Sequence, residues 1–390
     1  MRTEMSYVYF DHNATTPLAD EVLEAMIPVL KDNFGNPNSR HKWGSEAAQL
    51  VEKARDQVAE LIGAKSRQVY FNSGATEGCN TVLRAIFPSI CGVRRHVVIS
   101  AMEHDAVNAP AQWLTRHGFE LSVLKPRDRR GLISAADLTA VVRPDTGLVC
   151  IIGAHNEFGT IQPIEELAQV CRSAGAMLFV DGAQMAGKCP VDVETWGVDF
   201  FTLSAHKMYG PKGVGALYVR RRPDAVEEAA LMLGGGQEHA LRSGTLNVPG
   251  IVGFGAAARL AIRELSKEVY RLTQLRVQLW SELVGKIPDL ELNGDPDSRL
   301  PGNLNITFPS VDANSVIAAL PEFGLSTGSA CHADSVTPSA ALLALGLSER
   351  EAFASLRIGM GRSTTATQVA LLAERIAVAV RRAQNAVLEI

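Results

Sequence analysis

The sequence predicts an α/β protein: a mostly parallel, doubly wound sheet, followed by a second, smaller αβ unit. Three observations carry this. Short apolar runs alternate with helical patterns as far as Val219. A proline-free stretch, 250–287, then reads as one long helix. A new strand–helix–strand–helix set follows it to the C-terminus. Strand–helix alternation of this kind is the mark of a parallel sheet covered by helices on both faces.

The elements follow in order. Residues 45–62 place Leu50, Val51, Ala54, Val58, Leu61 and Ile62 at helical spacing, and Gly63 ends that helix. The strand runs are 68–71, 96–100, 120–124, 148–152, 177–181, 199–203 and 215–219. Most are rich in β-branched or aromatic residues and free of proline. Helical segments at 105–117, 134–142 and 163–173 separate several of them. The long helix carries Leu265, Val269, Leu272, Leu275 and Leu279 at spacings of three or four, with charges between. Its length suits a bridge between two domains, with Gly253 or Gly255 as the place for a kink. Beyond it come a strand at 303–308, a helix at 313–320, a strand at 355–360 and an amphipathic helix at 366–388. The expected division puts 16–260 in a large domain, and 1–15 with 261–390 in a small one.

Composition narrows the function classes. A chain of 390 residues, 46% hydrophobic and 21% charged, can bury a large core without disulfide or metal staples. The formal net charge of −4 gives no strong field toward nucleic acid or anionic membrane. No apolar stretch is long enough to span a bilayer, and the first residues lack a signal-peptide pattern. Six cysteines with no CxxC pair fit a reducing compartment. The expectation is a cytoplasmic enzyme.

Several segments carry chemistry. Phe71-Asn-Ser-Gly-Ala-Thr-Glu-Gly78 follows a strand and opens a helix, so its backbone N–H groups and the Thr76 hydroxyl suit an anion such as phosphate; a plain turn reads equally well. Asp181 ends an apolar strand, where the carboxyl ends of parallel strands face a ligand crevice. As metal ligand, base, turn residue or partner of a protonated ring nitrogen it stays open on this ground alone. Leu203-Ser-Ala-His-Lys follows another strand. Lys207 is a candidate for a Schiff base, with Ser204 and His206 as phosphate donors beside it. Cys331 stands in a loop of small residues next to His332, the setting of a nucleophilic thiol. Cys150 and Cys171, in an apolar strand and a helix, read as buried hydrophobes, as do Cys79, Cys91 and Cys189. His104, past the strand 96–100, is placed to lie over a planar cofactor. Arg357, in a late strand, can bind a carboxylate bidentately or form a structural ion pair.

In sequence order the chain shows FDHNATT at 10–16, NPNSRHKWG at 36–44, NSGATEGCN at 72–80, MEHDAV at 102–107, HNEFGTIQPI at 155–164 and VDGAQMAGK at 180–188. It continues with SAHKMYGPKGVG at 204–215, GGGQEHALRSGTLN at 234–247, STGSACHADSVTPS at 326–339 and LRIGMGRSTT at 356–365. Over nearly its whole length it resembles the cysteine desulfurases of the NifS/IscS type, within the fold-type-I pyridoxal 5'-phosphate enzymes of the class-V aminotransferase family. That resemblance implies a large domain with a seven-stranded, mostly parallel sheet. It implies that Lys207 holds the cofactor, Asp181 pairs with the ring nitrogen, Gln184 bonds the phenolic oxygen and His104 stacks on the ring. Ala75, Thr76, Ser204 and His206 would hold the phosphate, and Thr245 would reach the phosphate of the neighbouring subunit in a homodimer with shared active sites. Asn13, Asn156 and Arg357 would bind the substrate carboxylate, with Asn156 also near the ring. Cys331 would take sulfur from L-cysteine as a persulfide, release L-alanine and pass the sulfur to a protein acceptor.

The loop from Cys331 to Ser339 resembles the long-loop group I members, which implies sulfur supply to iron–sulfur clusters or other thio-modifications. The chain departs from the family pattern at His12 and His155, where asparagine is usual, and at Cys79. His332, with Gly-Arg-Ser-Thr-Thr at 361–365, is also similar to selenocysteine lyases. The same loop would suit a desulfurase dedicated to DNA phosphorothioation or to tRNA thiolation.

Overall fold

The computed structural model describes residues 7–221, 229–309, 311–327 and 337–388. In chain order its strands are β1 (Val8–Tyr9), β2 (Val69–Asn72), β3 (His96–Ser100), β4 (Glu120–Leu124), β5 (Thr146–Ile152), β6 (Met177–Asp181), β7 (Phe200–Ser204), β8 (Gly215–Val219), β9 (Glu291–Leu292), β10 (Asn303–Thr307), β11 (Phe323–Gly324) and β12 (Ser355–Gly359). Seven form one sheet in the order β2-β8-β7-β6-β5-β3-β4. Its β3, β4, β5, β6 and β7 pair in parallel, while β8 runs antiparallel to both β7 and β2. The reversal has a simple cause. Parallel neighbours need a crossover of about a dozen residues or more, and the loop 205–214 is too short to make one.

Every residue of β3, β5, β7 and β8 is buried, so these strands read as continuous apolar runs. One face packs against the helices Lys42–Leu61 and Ile164–Ala174 and the start of Val248–Val284. The other packs against the helices Ala75–Thr81 and Asp105–Thr115. Gly63, at φ +67°, closes Lys42–Leu61 in the left-handed conformation that glycine adopts freely. The helix Asp20–Lys31, with Pro28 inside it, lies outside the periodic segments that the sequence singles out.

The helix Val248–Val284 runs unbroken through Gly253 and Gly255, where a kink was expected. These glycines serve close packing instead. A Cβ on Gly255 would lie 2.7 Å from the Ala54 Cα, and one on Gly253 would lie 2.6 Å from the Met26 sulfur. The first half of this helix, to Ala261, joins the core of the large sheet. Its second half, from Leu272 to Leu283, joins a separate core with Phe10, β10, β12 and the helix Ala366–Leu388. That core lies on a three-stranded antiparallel sheet of order β12-β10-β9, and β1 and β11 pair in parallel beside it.

Candidate active site

Parallel strands bring their carboxyl ends to one edge of a sheet, and the loops that leave them meet there. The exits of β3, β5, β6 and β7 supply His104, Asn156, Asp181 with Gln184, and Ser204 with His206 and Lys207. These line a cavity of about 300 Å³, together with Asn13, Ala14, Ala75, Thr76 and Arg357. The structure therefore gathers all the expected site residues but two. Thr245 is exposed and lines no part of this cavity. Cys331 lies outside the described residues.

Lys207 donates from Nζ to the backbone carbonyls of Asn13 (2.9 Å) and Ala14 (2.7 Å). The FDHNATT segment is thus laid across the lysine loop, and Thr16 ties the two together through the His206 carbonyl (2.9 Å from Oγ1). Asp181 accepts from the Ala183 N–H at 3.0 Å, and burial raises its carboxyl above the usual range. Facing the cavity, it suits a cationic partner. His104 caps the helix Asp105–Thr115: its Nδ1 accepts from the Ala106 N–H at 3.0 Å, which fixes the ring at the cavity wall.

The part of the cavity around Ala75, Ser204 and His206 is equally defined. Ser204 Oγ accepts from the Ala75 N–H at 2.8 Å, and Thr15 Oγ1 sits 3.0 Å from His206 Nδ1. Burial, then the charges of Lys207, Lys212 and Lys188, push the His206 pKa down to about 4. A phosphate at that position would offset the crowding of positive charge. Gln184 donates from Nε2 to the Asn13 carbonyl (2.8 Å) and accepts at Oε1 from Lys188 Nζ (2.6 Å).

Arg357 forms the structural ion pair and also faces the cavity. Its Nη2 pairs with Asp11 at 2.8 Å and donates to Ser326 Oγ at 3.2 Å. Its Nη1 reaches the Asn156 carbonyl only at 3.5 Å, and Nε has no hydrogen-bond partner among the described residues. An ion pair thus anchors the guanidinium while donors remain for a carboxylate.

The five other cysteines are buried, as their surroundings in sequence predict. Burial pushes the thiols of Cys171 and Cys189 up to about 12, and those of Cys79 and Cys150 well above the usual value. None is a candidate nucleophile.

Glu103 and His155 stand out in sequence as candidates just past the strand runs 96–100 and 148–152, but their contacts do not. Glu103 Oε1 accepts from Ser100 Oγ and the Ile152 N–H, each at 2.6 Å, joining the exits of β3 and β5; burial pushes its carboxyl up to about 8. His155 stacks on Phe158 at 3.7 Å, accepts from the Glu157 N–H at 3.1 Å and faces the Met102 carbonyl at 3.1 Å, fixing the turn that presents Asn156. Asp11, Thr15 and Lys188 lie inside matched motifs, but their spacing does not reveal whom they touch. Lys188 alone left a signal, standing one helical turn after Gln184.

The chain matches the family model described as "Aminotransferase class-V" over residues 8–372. It is 44% identical over 363 residues to the "Cysteine desulfurase IscS" of Anaeromyxobacter dehalogenans, covering 93% of this chain and 89% of that protein. A solved structure described as a NifS-like protein superposes with TM-score 0.88 at 34% identity, covering 96% of this chain and 99% of that one. Another, described as SspA in complex with cysteine, superposes with TM-score 0.79 at 35% identity, covering 90% and 98%.

Proposed function

This chain belongs to the class-V aminotransferase family, and from that premise we propose that it is a pyridoxal-phosphate-dependent cysteine desulfurase. The convergence of Lys207, Asp181 and His104 from three strand exits on one cavity carries the reading. A cavity of about 300 Å³ is the size of a small-cofactor site. The residue set fits pyridoxal phosphate: an amine, a buried carboxylate, an imidazole on the wall, and at the phosphate end the Thr76 and Ser204 hydroxyls and the His206 ring, with the Ala75 N–H holding Ser204 in place.

Bound there, the cofactor would supply an electron sink that weakens bonds at the substrate Cα. The chain's own residues do the rest. Asp181 holds the ring nitrogen's proton. Lys207 anchors the group and moves the Cα proton. Arg357, Asn156 and Asn13 orient the substrate carboxylate. Cys331 as thiolate attacks the Sγ of L-cysteine: the S–S bond of a persulfide forms, the Cβ–Sγ bond breaks with its electron pair left on the carbon fragment, and that fragment takes up a proton and leaves as L-alanine.

The active form in this reading is a homodimer in which Thr245 serves the neighbouring subunit. Its exposure supports that, as do the exposed Leu23, Ile27 and Leu30, which recur at helical spacing along Asp20–Lys31. A protein acceptor then receives the sulfur from Cys331.

The test is release of alanine and sulfide from L-cysteine with dithiothreitol, wild type against Cys331→Ala, with L-selenocysteine in parallel. Equal yields that vanish in the variant are expected. Turnover of selenocysteine alone would make the protein a selenocysteine lyase.

A further inference from the structure

The Gln184–Lys188 pair spans two cavities, with Gln184 lining one and Lys188 lining the other. On one side is the cofactor cavity. On the other is a chamber of about 30 Å³, lined by His12, Asn303 and Lys188 among others. From the chamber side Lys188 reaches Gln184, its Nζ 2.6 Å from Oε1. A glutamine amide has one accepting end and one donating end, and which end faces the cavity decides what it can bind.

We propose that Lys188 is a positioning residue, holding the Gln184 amide with its NH2 turned into the cofactor cavity. The inference rests on the desulfurase reading, in which Gln184 donates to the cofactor's phenolic oxygen. The two ends of the amide are locked from opposite sides. Lys188 can only donate when charged, so it demands the oxygen. The Asn13 carbonyl can only accept, so it demands one of the two N–H groups, at 2.8 Å. A flipped amide would set oxygen against oxygen and N–H against N–H. The second N–H of the NH2 is then the one left for the cofactor.

The surroundings of Lys188 explain how it can stay in place. Burial, then the charge of Lys207, push its pKa down to about 7. A neutral amine still has N–H groups to give, so the contact can persist, while the charged form alone rejects the flipped amide and the Asn13 carbonyl rejects it in either state. The chamber has the volume of about one water, and the His12 ring nitrogens and Asn303 Oδ1 that border it have no hydrogen-bond partner among the described residues. The chamber that Lys188 lines is largely apolar, with His12, Asn303, Tyr209 and Glu268 among its polar groups. His12 stands where the family resemblance leads one to expect asparagine, so this enclosure is partly particular to this chain.

The test is a pH titration of the visible absorbance of the Lys207–cofactor linkage. It uses holoenzyme of the wild type, Lys188→Met, Gln184→Leu and the double variant. An N–H given to the phenolic oxygen stabilises its anion and weakens its hold on the linkage proton, so losing that donor raises the midpoint. We expect Lys188→Met to raise it by about one pH unit, the scale of one hydrogen bond to a charged group. Gln184→Leu should raise it similarly, and the double variant no further than Gln184→Leu. Lys188→Gln, which keeps an N–H donor, should return the midpoint toward wild type. Asp181, His104, His206 and Arg357 line the same cavity and are unchanged in every variant. An unchanged midpoint in Lys188→Met overturns the proposal. So do shifts that add in the double variant, since a charge acting through space would add. Lys188→Ala gives the same readout if the methionine variant does not fold. A wild type with no Lys207-dependent band would overturn the desulfurase reading itself.

Discussion

The two larger sheets of this molecule are both buried, yet they are built by opposite rules. In the seven-stranded sheet both faces are covered by helices, and its central strands are apolar on each side. In the three-stranded sheet the residues alternate. Leu304, Ile306, Leu356 and Ile358 enter the second core. Asn303, Asn305, Thr307, Ser355 and Arg357 point the other way and are also buried. That polar face is only partly paired: Asn293 Nδ2 donates to Asn305 Oδ1 and Thr307 Oγ1, both at 2.8 Å, and Asn303 Nδ2 donates to the Glu157 carbonyl at 3.0 Å, while Asn303 Oδ1 and Arg357 Nε have no hydrogen-bond partner among the described residues. The lesson is that the large sheet contributes chemistry only from its edge, where strands end. The small sheet contributes it from a face, and Arg357 is the residue of that face which reaches the cavity.

The sharpest way to break this contrast is at the edge. Lys207→Ala should cost about 10³-fold or more in turnover, the scale of losing a positioned proton-transfer group. Borohydride reduction should fix cofactor to the wild type at Lys207, seen by peptide mass, and leave the variant unlabelled. On the apolar face of the small sheet the expected cost is in stability. Ile358→Ala, at a fully buried position, should lower unfolding free energy by about 3 kcal/mol in urea. The KM for cysteine should change little.

A third test concerns the loop joining the two regions. Burial pushes the His155 pKa down to about 3, so the folded state stays neutral where the unfolded chain takes up a proton. Stability therefore falls as pH drops below the unfolded value near 6.5 toward 3. Between pH 7 and pH 5 this one group should cost about 2 kcal/mol. His155→Asn should remove that part of the acid sensitivity in paired urea titrations. The smallest effect is on the polar face. Arg357→Lys keeps a charge beside Asp11 but loses the planar fork, so KM for cysteine should rise about tenfold with a smaller change in kcat.

Most strands of the large sheet were legible because a buried parallel strand must be an apolar run, and the positions 96–100, 177–181 and 215–219 coincide with β3, β6 and β8. The direction of β8 was not read from its composition, because an apolar run has no polarity. Only the length of the loop before it carries that information. The helix Asp20–Lys31 escaped notice because a proline inside a periodic segment weakens the pattern. Buried cysteines could be recognised from apolar neighbours, and the strand-end positions of Asp181 and Lys207 from the runs before them.

By itself the sequence determined the alternation of elements, the order of the motifs and the residues that stand at strand exits. All of these are local properties of spacing and polarity. Tertiary structure alone decided who touches whom. Arg357 meets Asp11 across 346 positions, and Lys207 meets the Asn13 carbonyl across 194. Lys188 and Gln184 are near in sequence, but only the packing of the segment 11–16 against them gives the amide its second lock. Such contacts depend on how separate layers are brought together, and periodicity within one element carries no record of that.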